Sequence, residues 1–372
     1  MMPFVDLDTQ RHVLGPAIDK AVARVLEHGQ FIMGPEVGQL EEQLARRAAV
    51  SSAVTCSSGT DALLLPLLAW GIGPGDAVFV PTFTFTATAE VVSLLGATPV
   101  FCDVLEDTYN LDPSNLAIAV KQVQETGRLR PRVVIPVDLF GQPADYHAIR
   151  AVADEYGLLV LADAAQSFGA SFDGSPVGSL ADATATSFFP SKPLGCYGDG
   201  GAVLTDDSDL AGVLRSLRVH GKGSDKYETV RVGLNARLDT LQAAVLLQKL
   251  TIFDEEICSR REVARRYTEG LSGVVETPTV RERAASVWAQ YTVRVDDRSE
   301  VQSFLNRLGI PTAVYYPRPM HQQSAYATSA VQSAHCPVAD EFVDQVLSLP
   351  MHPYLEEKGQ EYIIRALHTF RA

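Results

Sequence analysis

From residue 52 onward, short apolar runs alternate with stretches whose apolar positions recur every three or four residues. The runs at 53–56, 77–81, 99–104, 132–137, 158–162, 183–188 and 201–205 read as strands, and many of the intervals between them read as helices. That alternation requires crossover connections, so it predicts a parallel or mixed sheet covered on both faces. Ahead of it, 16–28 places Ile18, Val22, Val25 and Leu26 on one side of an amphipathic helix, and 36–49 predicts a second. Between them lies a turn-rich loop with two adjacent apolar side chains, Phe31 and Ile32, the kind of loop that either lines a site or packs as a connector. After residue 235 the pattern changes. One long helix is predicted to about Leu271, then a strand at 291–295, a helix opened by a Ser299-x-x-Gln302 capping box and closed by Gly309, and strand character again at 312–316. The expected organisation is a large α/β domain, 1–245, and a smaller α+β domain, 246–372.

Composition narrows the function classes. The chain has 372 residues, 46% hydrophobic and 20% charged, enough for a sizeable core and ordinary for a globular protein. Its net charge of −14 argues against a nucleic-acid or anionic-membrane surface, because phosphate backbones need clustered Lys and Arg. The five cysteines, Cys56, Cys102, Cys196, Cys258 and Cys336, show no metal-ligand spacing, which predicts reduced thiols, a cytoplasmic location and no metal. Met1 to Leu7 carries neither a basic n-region nor an apolar h-region, and no run approaches the roughly 20 apolar residues of a membrane span.

In sheets of this kind ligands sit beyond the carboxyl ends of the strands, so the residues just after each run matter most. After the first comes Ser57-Ser58-Gly59-Thr60-Asp61, where a helix N-terminus suits a phosphate and equally suits a plain N-cap. The second leads into Thr82-Phe83-Thr84-Phe85, whose rings would either cover a flat cofactor or fill core. The run at 158–162 leads into a carboxylate, Asp163, with Gln166 close behind. Lys192 stands between Pro190 and Pro193, whose rings restrict the backbone on both sides. A cofactor aldehyde needs a lysine for a Schiff base, and its pyridine nitrogen needs a carboxylate to keep it protonated. Lys192 and Asp163 are candidates for that pair, although singly each reads as an ordinary surface residue. Gly71-x-Gly73-x-Gly75 follows a helix and is a turn, not a dinucleotide fingerprint.

Ser58-Gly59-Thr60, Thr84-Phe85-x-Ala87-Thr88, Asp163-Ala164-Ala165-Gln166, Ser187-x-x-x-x-Lys192 and Asn235-x-Arg237-Leu238-Asp239 occur together and in this order. With them the chain resembles, along essentially its whole length, the pyridoxal-phosphate-dependent nucleotide-sugar aminotransferases of the DegT/DnrJ/StrS type. Within that family, Gly34-Pro35-Glu36-Val37, the segment Phe188 to Gly201 and Ser348 to Tyr354 look like those of the bacterial members that aminate UDP-2-acetamido-2-deoxy-3-oxo-glucuronate.

The resemblance implies an aspartate-aminotransferase-type fold (fold type I), with a seven-stranded mixed sheet in the large domain, and pyridoxal 5′-phosphate as cofactor. It implies Lys192 as Schiff-base lysine and proton shuttle and Asp163 as partner of the pyridinium nitrogen. Gly59, Thr60 and Ser187 would hold the phosphate, Phe85 would stack on the ring, and Gln166 would face its hydroxyl side. Asn235 would reach the cofactor phosphate of a neighbouring subunit, which makes the expected unit a homodimer with shared sites. Phe31, Ile32, Arg237, Tyr315 and Tyr316 would line the substrate side. Here the chain departs from those glucuronate-aminating members, with Tyr315-Tyr316-Pro317 in place of His-Tyr-Pro. The implied reaction is a ping-pong transamination from L-glutamate to a nucleotide-linked ketosugar for surface-polysaccharide synthesis. Alternatives are a dTDP-3-keto- or 4-keto-6-deoxyhexose as substrate, a ketosugar dehydratase, which Lys192 argues against, and a non-catalytic regulator. Arg237 is the candidate to meet the sugar carboxylate, the alternative being an ion pair with Asp239 or another acid that anchors the start of the following helix.

Overall fold

In the computed structural model of the chain, residues 2–225, 227–326, 331–332 and 335–371 are described; Met1, the start of the expected leader, lies outside them. Seven strands build the large sheet: β1 (Ser52–Cys56), β2 (Asp76–Pro81), β3 (Thr98–Cys102), β4 (Arg130–Val134), β5 (Leu159–Asp163), β6 (Ala183–Ser187) and β7 (Gly201–Thr205). Their spatial order is β1-β7-β6-β5-β4-β2-β3, and β7 alone runs antiparallel to its neighbours. An eighth, two-residue strand, Val331–Gln332, adds to β3 in parallel. That edge strand is too short for any periodicity to show in the sequence.

The strands read as unbroken apolar runs because both faces are covered. Val78 and Val80 of β2 pack with Leu63, Leu67 and Leu161 on one side, while Ala77 and Phe79 pack with Leu116, Val120 and Ile149 on the other. Each fully buried Val or Leu contributes about 1.5–3 kcal/mol by leaving water.

A helix that the sequence pattern left unassigned, Leu7–Leu14, is capped by Asp6, whose carboxylate accepts from Thr9 N at 2.9 Å, and three expectations are corrected. The long helix after 235 is two helices, Thr240–Lys249 and Phe253–Leu271. The Gln248 carbonyl accepts from both Thr251 N (3.1 Å) and Thr251 Oγ1 (2.6 Å), so Ile252 N turns to Lys249 O and the α-ladder ends. At the Arg298–Arg307 helix the cap is Asp297, not Ser299, and Gln302 bonds to Thr312 Oγ1 instead of reaching back; Gly309 stops it with φ +72°. Finally, 312–316 is no strand: only Ala313 pairs, with Ser348, before a cis Tyr315–Tyr316 peptide leads to Pro317, which has no amide for a ladder.

Beyond the sheet, Tyr291–Arg294 and Val346–Leu349 pair antiparallel. The helices Phe253–Leu271, Arg298–Arg307 and Glu357–Arg371 share an apolar cluster with them that includes Tyr267, Leu305, Ile363 and Leu367. Contacts cross the expected boundary at 245 in both directions, since Met2 packs on this cluster and Phe342 and Val343 pack against Phe83 and Tyr109.

Candidate active site

Asp163 ends β5 and is buried. Thr88 Oγ1 donates to its Oδ2 at 2.9 Å and Ala165 N to its Oδ1 at 3.2 Å. Burial holds this carboxyl above the usual aspartate range, against the opposing pull of Thr88, Ala165 and the Lys192 charge. Lys192 is half-buried, and desolvation pushes its amine below the usual lysine range, with Asp163 acting in the opposite direction. A lysine so depressed has more of its free, nucleophilic amine at neutral pH. Its loop is closed tightly. Lys192 N donates to Phe189 O at 2.9 Å, and a Cβ on Gly195 would lie 2.5 Å from Pro190 O.

The Gly59–Ala69 helix starts beside the carboxyl ends of β1 and β6. Ser58 is indeed its N-cap, accepting from Asp61 N at 3.0 Å, but that satisfies only one of the first-turn amides. Gly59 faces Ser187 so closely that a Cβ there would sit 2.6 Å from Ser187 Cβ. Gly59, Thr60 and the Ser187 hydroxyl thus form a cradle at a helix N-terminus, into which a phosphate fits and a larger side chain does not.

Aromatic and amide side chains gather near Asp163. The Phe85 ring, half exposed, lies 6.2 Å from that of Tyr316. Tyr316 OH accepts from Gln166 Nε2 at 3.3 Å, and Gln166 Oε1 accepts from Phe140 N at 2.7 Å. Burial and the nearby Asp163 charge push the Tyr316 phenol up. Tyr315 packs between Phe4 and Tyr316. Thr88 is the member that residue-by-residue reading missed. It stood in the quoted motif, and its spacing of four from Thr84 on a helix start was the available signal, for the two hydroxyls meet at 3.2 Å.

The remaining expected residues gather on a neighbouring surface. Ile32 bridges Asp239, and Thr240 N donates to Phe31 O at 2.9 Å, so the Phe31–Met33 loop is docked on the Asp239–Thr240 turn with its side chains about half exposed. Asn235 is exposed on a segment that bridges Val219 and touches none of the cradle residues. Arg237 is half-buried; its Nε has no partner, and among the described residues it makes no ion pair. The alternative of an anchoring pair with Asp239 is therefore not what holds it.

The DegT/DnrJ/EryC1/StrS aminotransferase family matches residues 13–368. The chain belongs to this family. A UDP-2-acetamido-2-deoxy-3-oxo-D-glucuronate aminotransferase of Pseudomonas aeruginosa is 49% identical over 368 residues, covering 99% of both chains. A dTDP-3-amino-3,4,6-trideoxy-alpha-D-glucose transaminase of Streptomyces venezuelae is 41% identical, covering 99% of this chain and 96% of its own. The crystal structure of a DegT/DnrJ/EryC1/StrS aminotransferase from Brucella abortus superposes with a TM-score of 0.99 at 46% identity, covering 100% of each chain. Other members have been solved in PLP- and PMP-bound forms. The protein is thus a PLP-dependent aminotransferase of fold type I. The residues present fit the cofactor: a cradle for its phosphate, a lysine with a depressed pKa and a buried carboxyl lie at or just beyond the carboxyl ends of β1, β6 and β5.

Proposed function

We propose that this aminotransferase converts UDP-2-acetamido-2-deoxy-3-oxo-glucuronate to its 3-amino sugar with L-glutamate as donor, in the cytoplasm, for surface-polysaccharide synthesis. The observation that supports the sugar acid is Arg237, a guanidinium whose Nε is buried without a partner in a chain of net charge −14. A carboxylate substrate would be repelled by that balance unless a fixed cation met it, and a guanidinium holds a carboxylate with two parallel hydrogen bonds. The likeness to the Pseudomonas enzyme supports the same reading. The second reading, a dTDP-linked ketosugar, draws on the Streptomyces relative and on Tyr315 where the glucuronate-aminating members have His.

When bound, the cofactor supplies an aldehyde for the amine and an electron-withdrawing ring. Lys192 would bind that aldehyde through its amine and, when free, would serve as the base that moves a proton at the substrate carbon. Asp163 keeps the ring nitrogen protonated, with Thr88 fixing the carboxylate that does so. Gly59, Thr60 and Ser187 would hold the phosphate, Phe85 would stack on the ring, and Gln166, whose Oε1 accepts from Phe140 N, would contact its hydroxyl. Phe31, Ile32, Tyr315 and Tyr316 border the sugar.

Kinetics with two substrates test the assignment. Arg237→Lys is expected to lower kcat/KM for the glucuronate about 10–100-fold relative to a neutral UDP-3-ketosugar, with the glutamate half-reaction within about twofold of wild type. Equal losses in both half-reactions, or a lowered melting temperature with selectivity unchanged, would leave the sugar carboxylate without this partner.

The homodimer with shared sites is part of the same proposal. Phe31, Ile32, Met33, Phe85, Val230 and Val232 are all exposed to an extent unusual for large apolar residues, and the Asn235 side chain is exposed as well. Mixing inactive Lys192→Ala subunits with inactive Asn235→Ala subunits is expected to restore about a quarter of wild-type activity at equal ratio, through hybrids that carry one intact site. A fully active monomer in sedimentation, with no recovery on mixing, refutes it.

A further inference from the structure

Directly beside Asp163 lies a second carboxyl group that the reaction as described leaves unused. Asp138 follows the end of the β4 segment, where Val137 bridges Asp163 and Asp138 N donates to Asp163 O at 3.0 Å. It is fully buried. Its Oδ1 accepts from Ala144 N (2.8 Å) and Tyr146 OH (2.9 Å), and its Oδ2 from Ser167 Oγ (2.6 Å). These contacts tie together two turns. One is the Asp138–Gln142 turn, in which Phe140 adopts φ +59° and donates its N–H to Gln166. The other runs from Asp163 to Ser167 and carries both Asp163 and Gln166.

Resting on the reading that Asp163 meets the pyridine nitrogen, we propose that Asp138 is a positioning residue of this active site. Its carboxyl clamps the two turns that present Asp163 and Gln166, and its charge acts through Asp163 on the proton held at the cofactor ring. Three hydrogen-bond donors converge on this carboxyl, yet burial dominates and pushes its pKa up to about 7. The titratable groups that face it are Asp163 on β5 and Tyr146 on the Tyr146–Tyr156 helix, with Lys192 beyond Asp163. Tyr146 stays neutral because burial and the Asp138 charge both raise it. Burial thus brings the charge change of Asp138 up toward neutral pH. Ionised, it adds negative potential next to Asp163 and favours the protonated ring; protonated, it withdraws that support.

Two readouts test this apart from turnover. The first is the pH midpoint of the visible absorption band of the bound cofactor, which Asp138→Asn is expected to lower by about half a unit or more, because a negative charge that favours the protonated form is gone. The second is the melting temperature of the apoprotein against pH. A carboxyl whose folded pKa is raised binds its proton more tightly when folded, so its stabilising contribution is present below the unfolded value near 4 and is lost as pH rises through about 7. The wild type should thus lose stability across that window, and Asp138→Asn should lose measurably less. Should Asp138→Asn fail to fold, Ser167→Ala decides: it removes a donor to the carboxylate and should move the inflection upward. An unchanged band midpoint and an unchanged melting profile in Asp138→Asn, or an unmoved inflection in Ser167→Ala, overturn the proposal. A wild-type band midpoint and rate in Asp163→Asn would instead remove the reading on which it rests.

Discussion

Lys192→Ala is expected to lower kcat for transamination at least about 10⁴-fold, while the purified protein still melts cooperatively. The size follows from the two duties of one amine, covalent attachment of the aldehyde and proton transfer at the substrate carbon, which no neighbour duplicates. Asp163, whose charge acts on Lys192, and Thr88 and Tyr316, which neighbour Asp163, carry no amine, and the phenol is pushed up by burial. Lys192→Arg provides the control for charge. It keeps a cation opposite Asp163 but forms no imine, so it should be as slow as the alanine variant. Product formation from glutamate and ketosugar, followed by chromatography of the nucleotide sugar, measures both.

Asp163→Asn is the second large effect, about 10²–10³-fold in kcat, since an amide cannot hold the positive charge at the ring nitrogen in a dry site. Stability should move the other way. The native fold raises the pKa of Asp163, so at neutral pH its ionised form is the costly one to bury, and a neutral side chain of the same shape removes that cost. An apoprotein melting temperature equal to or above that of wild type, together with the slow rate, separates an electrostatic role from a structural one. A rate near that of wild type would take Asp163 out of the site.

What the sequence revealed about this site follows from where its residues stand. Asp163, Ser187 and Ser57–Gly59 close apolar runs, so the strand pattern alone brings them to one edge of the sheet. Lys192 between two prolines is a local constraint, visible in the sequence, whereas the close approach of Gly59 to Ser187 is tertiary. Tertiary bonds were less legible. The helix break at Thr251 depends on a hydroxyl choosing Gln248 O over solvent, and Asp297 rather than Ser299 captures a cap, choices that propensity does not rank. Strand character at 312–316 failed because Tyr316 was recruited to Gln166 and Phe85 instead of to a ladder. Asp138 stands in the connection after β4, and its nearness to Asp163 becomes visible only once β4 and β5 are paired.

The most direct test of the account follows the visible spectrum of the PLP-loaded enzyme through one cycle. Excess L-glutamate added without ketosugar should bleach the cofactor's visible band in wild type, with release of one 2-oxoglutarate per subunit. Addition of UDP-2-acetamido-2-deoxy-3-oxo-glucuronate should then restore the band and yield one equivalent of the 3-amino sugar, with neither change in Lys192→Ala. A band that ignores glutamate in wild type, or that cycles normally in Lys192→Ala, would contradict the assignment of Lys192 and Asp163 as the reacting pair.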